Sequence, residues 1–294
     1  MSDLKAYLKS QQSLIDDSLN AFLPRSTERP RTIHQAMRYS VFAGGKRLRP
    51  ILTLAAAEAC GGEAENALRP ACAVEIMHTY SLVHDDLPSM DDDDLRRGRP
   101  TSHKVYGEGM AVLTGDALLT EAFIVLAQTP PTKRYSLKEL LLEFSTCGGS
   151  KKLIGGQVLD LEGEGKDLSK AQLIRIHENK TAALLTTSLR LGGMTANATP
   201  KQLEALTDFG YNLGLAFQVI DDILDVTQST EQLGKTAGKD EAVDKATYPS
   251  ILGLDKSKKE AARLTKKALA ALSAFGKKAV RLEAIAHYLL DRDY

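Results

Sequence analysis

Apolar residues recur at three- and four-residue spacing along most of the chain. The pattern predicts helices over 51–60, 70–86, 110–127, 137–158, 169–192, 201–226 and 277–291, all rich in Ala and Leu. Alternating, strand-like runs are almost missing. Breaks fall at Gly44-Gly45, Gly61-Gly62, Pro130-Pro131, Gly148-Gly149, Gly163 to Gly165, Gly192-Gly193 and Pro200, and such residues punctuate helices. No long linker or low-complexity tract divides the sequence. The reading is therefore all-α, a single-domain helical bundle over residues 1–294. The polar stretch 227–248 mixes Gly, Lys, Thr and Asp, and is expected to be a mobile loop.

Composition narrows this picture. The chain is 43% hydrophobic but only 5% aromatic, with no Trp, so its core must be built from Leu, Ala, Ile and Val. Lys plus Arg and Asp plus Glu both number 38. With zero net charge, no global field draws the protein to nucleic acid or an anionic membrane. No window approaches the ~18 consecutive apolar residues of a membrane span. The first twenty residues lack a basic region followed by an apolar run, so a cytoplasmic protein is expected. Cys60, Cys72 and Cys147 form no CxxC pair and are expected to be free thiols.

Charge-based function must then come from local clusters. Residues 78–100 contain Asp85, Asp86, Asp91, Asp92, Asp93 and Asp94, followed at once by Arg96 and Arg97. Asp85-Asp86 continue an apolar helical stretch (Val74, Ile76, Met77, Leu82, Val83), which sets them apart from a solvated acidic tail. Carboxylates this dense repel one another and call for cations. Mg²⁺ suits an all-oxygen donor set that shares its ion with phosphates. No His/Cys cluster suggests zinc, and the spacing is not that of a calcium-binding EF-hand loop. Asp85 and Asp91 are six apart and would diverge on an unbroken helix; Pro88 predicts a broken helix end that returns Asp91 to Asp85.

A second acidic segment, GLAFQVIDDILDV over 214–226, places Asp221 and Asp225 on one helix face, with Asp222 about 100° around. Facing the first segment across a bundle, it could bridge Mg²⁺ to a diphosphate. Basic partners are present. Gly44-Gly45-Lys46-Arg47-Leu48-Arg49-Pro50 sits at a helix break, where glycines allow close approach to phosphate oxygens and Arg forks can grip them. His78 lies two helical turns before Asp85 on about the same face. Lys180-Thr181, Gln218, and Lys235, Lys239 and Lys245 add further polar groups.

Together GGKRLRP, DDLPSMD, DDDLRRGRPTSH, GDALL, HENKTAALL, FQVIDDILD and KATYP strongly resemble the trans-isoprenyl diphosphate synthases, from about Gly44 to Pro249. The resemblance implies an isoprenoid-synthase α-bundle around a large central cavity, usually a homodimer. It also implies Mg²⁺, three ions per active site, held by Asp85, Asp91 and Asp221. Arg96, Lys180, Thr181, Gln218, Lys235 and Lys245 would hold the allylic diphosphate. Gly45, Lys46, Arg49, His78 and Arg97 would hold isopentenyl diphosphate. Asp85, Asp91, Asp221, Arg96, Lys180 and Lys235 would then carry catalysis, ionising the allylic C–O bond by stabilising the departing diphosphate. The isopentenyl double bond attacks the cation, and a proton leaves, with the released diphosphate as its acceptor. The 227–248 loop is the candidate lid that excludes water.

The prenyl tail needs an apolar channel. Tyr80, five residues and about 7.5 Å of helix rise before Asp85, is expected to form its floor beside the smaller Ser81. A large residue there fits a farnesyl diphosphate synthase, which extends dimethylallyl and geranyl diphosphate to C15. Geranylgeranyl diphosphate synthases share the same longer first motif and are the alternative. A terpene cyclase binds one diphosphate, whereas GGKRLRP and Arg96-Arg97 look built for two. A non-catalytic helical subunit is expected to lose aspartates or basic partners, and none is missing here.

Overall fold

The computed structural model describes residues 2–227 and 246–290. Lys235, Lys239, Lys245 and most of the candidate lid lie outside the described residues.

The central element is α3 (Leu48–Ala59), which buries Ile51, Leu52, Leu54 and four alanines around most of its circumference. A helix that is apolar all round belongs inside a bundle. It packs between α4 (Leu68–Asp85) and α10 (Ala183–Thr195). Small residues let these axes approach: a Cβ on Gly192 of α10 would lie 2.0 Å from the Thr53 carbonyl oxygen of α3. This is how a core poor in aromatics reaches close packing.

Around the centre lie α1 (Ser2–Phe22), α2 (Arg31–Val41), α5 (Ser102–Tyr106), α6 (Glu108–Leu126), α7 (Leu137–Gly148), α8 (Leu153–Gly163), α9 (Lys170–His177) and α11 (Pro200–Thr227). Then come α12 (Tyr248–Leu252), α13 (Leu254–Ala271) and α14 (Val280–Leu290). Ser136 starts α7 and Ser169 starts α9 with reciprocal capping boxes to Glu139 and Gln172. The expected helix 137–158 is two helices, because Gly149 is extended between α7 and α8. Among the described residues the strands are limited to a hairpin of β1 (Leu95–Arg96) and β2 (Arg99–Pro100). Its turn residues, Arg97 and Gly98, both have positive φ, as a two-residue type I′ turn requires. The three cysteines are free, with Cys72 and Cys147 buried.

Helix α6 is long and apolar enough to cross a membrane by length and composition. It packs instead as a bundle helix, against α4 and α2, and leaves Val112, Leu113 and Ile124 exposed.

Candidate active site

Four local structures converge on one end of the bundle. The first is the end of α4. Pro88 disfavours a helical conformation at Leu87, and the helix stops at Asp85. The chain then curls back: Met90 N donates to Leu87 O at 2.8 Å, and Asp91 N donates to Asp85 O at 2.8 Å. The expected return of Asp91 to Asp85 is thus present as a backbone hydrogen bond. Burial pushes the Asp85 carboxyl up to about 6, with Lys180 pulling it down and Asp91 pushing it further up. Two crowded carboxylates at the electronegative end of a helix form a donor set that fits a hard divalent cation.

The second is the hairpin, which sends neighbouring arginines apart. Arg96 Nε donates to Asp86 Oδ1 at 2.9 Å, and its Nη2 also reaches Asp93 at 3.3 Å. Arg97 swings the other way and donates to the Gly44 carbonyl. Asp86 is buried and held by Arg96, which separates it from the ligand candidates Asp85 and Asp91.

The third is the turn before α3. Gly44 and Gly45 have φ of 92° and 124°. A Cβ on Gly45 would strike the Arg97 guanidinium, so glycine there makes room for it. Arg47 turns inward from a left-handed conformation (φ 49°). Its Nε donates to Asp16 at 2.8 Å, its Nη1 to Glu75 at 2.8 Å and its Nη2 to the Val41 carbonyl at 2.7 Å. Arg47 and Glu75, so joined, line a cavity of about 540 Å³ together with Lys46 and Arg49. Gly45, Lys46, Arg49, His78 and Arg97 all line it, which gathers every residue expected to hold isopentenyl diphosphate. Arg49 Nη1 lies 3.2 Å from His78 Nε2, and Arg49 Nε is buried without a hydrogen-bond partner among the described residues. Burial, then the Arg49 and Arg97 charges, hold His78 well below its usual range, so it is neutral and its Nε2 accepts from Arg49. Burial likewise lowers Arg49 and Arg97. A chamber that strains its own cations in this way favours an anion, which offsets both burial and mutual repulsion.

The fourth is a π-helical turn, Glu178–Ala182, inserted between α9 and α10. Such single turns often mark functional positions. Two glycines press it from either side. A Cβ on Gly156 of α8 would lie 2.4 Å from Lys180 N, and one on Gly214 of α11 would lie 2.6 Å from Ala182 Cα. The turn projects Lys180 and Thr181. Lys180 Nζ meets Asp160 Oδ2 at 2.5 Å, and Thr181 Oγ1 donates to Gln218 Oε1. Asp221 follows Gln218 by three residues on α11 and is half-buried, whereas Asp222 and Asp225 are buried. Asp222 Oδ2 accepts from Tyr248 N at 2.9 Å and so ties α12 to the second acidic segment.

Below Asp85 lies a second cavity of about 520 Å³, lined by Asp85, Lys180, Thr181, Tyr80 and Ser81 and by apolar residues of α4 and α8. Arg49 and His78 line this chamber as well as the basic one. Asp91, Arg96, Gln218 and Asp221 do not line it; Gln218 is linked to it through Thr181. Tyr80 is buried in its wall, edge-on to His84 at 6.0 Å. Three parts of the site had no distinct signal in the sequence: the Arg47–Glu75 anchor, the Asp160 partner of Lys180, and the α8 wall from Leu153 to Leu161. The buried Glu75 within an apolar helix was the one available clue.

A basic chamber sharing a wall with an apolar one that ends at the Asp85 carboxylate defines a prenyltransferase of the all-helical isoprenoid-synthase class. Residues 30–286 match the polyprenyl synthetase family, and the chain belongs to that family. It is 48% identical to a chloroplastic geranylgeranyl pyrophosphate synthase of Catharanthus roseus, over 99% of this chain and 82% of the relative. It superposes on a geranylgeranyl pyrophosphate synthetase of Pyrococcus horikoshii with a TM-score of 0.90 at 31% identity, covering 99% of each chain. An FPP/GFPP synthase of Zymomonas mobilis superposes with a TM-score of 0.86 at 34% identity, covering 98% of this chain and 99% of that one.

Proposed function

We propose that the chain joins isopentenyl diphosphate head-to-tail to allylic diphosphates and releases geranylgeranyl diphosphate (C20). The observation that carries the reaction is the pair of chambers meeting at Arg49 and His78. Isopentenyl diphosphate would sit on Gly45, Lys46, Arg49, His78 and Arg97, with its double bond facing the allylic carbon. Asp85, Asp91 and Asp221 would hold Mg²⁺, which supplies charge neutralisation for the departing diphosphate. Lys180, Thr181 and Gln218 would orient that group, and Arg96 would reach it by exchanging its hold on Asp86 and Asp93. The carboxylate lining the basic chamber, Glu75, is already held by the Arg47 guanidinium, so the departing diphosphate is the natural acceptor of the proton.

Product length rests on two supports. The relatives include geranylgeranyl synthases. The apolar wall also includes α8 residues from Leu153 to Leu161, about 12 Å of helix rise. A tail laid along α8 would have that whole length of apolar wall to cover. This favours C20 over the farnesyl product first expected from Tyr80. Farnesyl synthase is the second reading, favoured by the bulk of Tyr80 in the same wall.

The exposed apolar side of α6, with Leu113, Met110 and Ala117 beside Pro24, Ile33 and Met37, borders a groove of about 720 Å³. An apolar face of this kind suits a second copy of the chain, giving a homodimer. Leu113→Glu is expected to convert the dimer to a monomer in light scattering.

The reaction is tested by incubating the enzyme and Mg²⁺ with isopentenyl diphosphate and, in turn, dimethylallyl, geranyl and farnesyl diphosphates, followed by chromatography. C20 from all three primers is expected. Accumulation of C15 with no use of farnesyl diphosphate overturns the length assignment. Turnover without isopentenyl diphosphate overturns the reaction.

A further inference from the structure

The hairpin is closed at its base by a charged group that lies outside both chambers. One carboxylate oxygen each from Asp92 and Asp94 and one ring nitrogen of His103 fall within 4.8 Å of one another. The two aspartates precede β1 and the histidine follows β2, so the three span the hairpin's two ends. The aspartates are exposed, but His103 is only 6% exposed.

The hydrogen bonds around His103 define its chemistry. Thr101 Oγ1 lies 3.1 Å from His103 Nδ1 and 3.4 Å from the Asp94 carbonyl oxygen. A hydroxyl carries a single proton. With that proton on the Asp94 carbonyl, Nδ1–H donates to Thr101 Oγ1, which leaves Nε2 with a bare lone pair. Nε2 is buried and has no hydrogen-bond partner among the described residues. A ring held at Nδ1 by a hydroxyl, with its Nε2 unpartnered and two carboxylates beside the ring, is an arrangement that suits a metal-ligating histidine. Lys104 Nζ offsets part of the charge, at 2.7 Å from Asp94 Oδ1, but it reaches one oxygen of one carboxylate.

We propose that Asp92, Asp94 and His103 bind a divalent cation of the borderline class, Zn²⁺ or Co²⁺. Imidazole favours such ions over Mg²⁺, so this site differs in chemistry from the all-oxygen set at Asp85, Asp91 and Asp221. The ion would clip the hairpin shut and fix the turn from which Arg96 and Arg97 diverge.

The test uses the full-length protein dialysed against Co²⁺ in excess Mg²⁺, with bound cobalt and its visible absorption measured. Asp94→Asn and His103→Gln are each expected to lose one Co²⁺ relative to wild type, or to bind it at least about ten-fold more weakly. Asp221→Asn, in the other acidic segment, is expected to keep that ion and its band. Equal cobalt content and an unchanged spectrum in Asp94→Asn and His103→Gln overturn the site. If His103→Gln does not fold, Asp94→Asn decides alone, because its side chain is exposed.

Discussion

Gly156→Ala tests how the active lysine is aimed. The added Cβ would lie 2.4 Å from Lys180 N and 2.8 Å from both Asn179 C and Lys180 Cα. These are backbone atoms of the π-turn, so no side-chain rotation relieves the clash. To restore an ordinary contact the turn must retreat by about 1 Å, and Lys180 and Thr181 move with it. A misplacement near 1 Å costs on the order of 10²-fold in rate, equivalent to about 2.7 kcal/mol of lost transition-state stabilisation. The overpacking itself costs about 1–3 kcal/mol of stability. The assay is initial-rate kinetics with both diphosphates varied, alongside circular dichroism to confirm the helical fold. Gly109→Ala is the control, since nothing lies within 4 Å of a Cβ there. A folded Gly156→Ala enzyme with kcat/KM close to wild type would refute the idea that this glycine sets the position of the turn.

Other predictions address separate parts of the site. Metal-free Asp85 has a folded pKa of about 6, above the usual ~3.9 for an unfolded chain. The folded state therefore binds more protons between these values, and stability falls as pH rises from about 4 to 6. Thermal melts in chelator should show wild type losing up to about 3 kcal/mol relative to Asp85→Asn over that range, and a pH-independent difference would refute it. Glu75→Ala leaves the Arg47 guanidinium buried without its main partner, at a cost of about 3–5 kcal/mol in urea denaturation; a loss below about 1 kcal/mol would show that Asp16 and the Val41 carbonyl suffice. Val158→Trp should shift product from C20 to C15 by blocking the α8 wall, while Tyr80→Ala leaves C20 dominant. Lengthening from C15 in Tyr80→Ala would instead support the farnesyl reading.

The helical class was legible because apolar spacing repeats over long stretches, and the two aspartate segments were legible because their neighbours are apolar. The curl after Asp85 could be read from Pro88, since a proline restricts its predecessor whatever the tertiary context. The π-turn could not. It depends on Gly156 and Gly214 pressing from two other helices, and neither contact leaves a trace in the local spacing of HENKTAALL. The GGKRLRP segment shows a related limit. Arg47 and Arg49 are the same residue type two positions apart, yet the first is tied to Asp16 and Glu75 and the second lines both chambers. Periodicity cannot separate them, because the left-handed backbone at Arg47 sends its side chain inward just before α3 begins. The division of 137–158 into α7 and α8 turned on whether Gly148-Gly149 bends a helix or ends it. That choice is set by the extended backbone at Gly149.

The π-turn also constrains how this sequence can change. It takes up one residue more than a regular turn, so α9 and α10 follow one another with their faces out of phase. Lys180 is indexed by the upstream phase, and the seat of Gly192 against Thr53 by the downstream one. Losing one residue from 178–182 would let the segment anneal into an ordinary helix and rotate one half against the other by about 100°. Either the lysine would leave its chamber or the glycine would leave its groove. Substitutions here are graded in effect, but insertions and deletions are all-or-none, and the length of this short stretch is as much a part of the active site as its side chains.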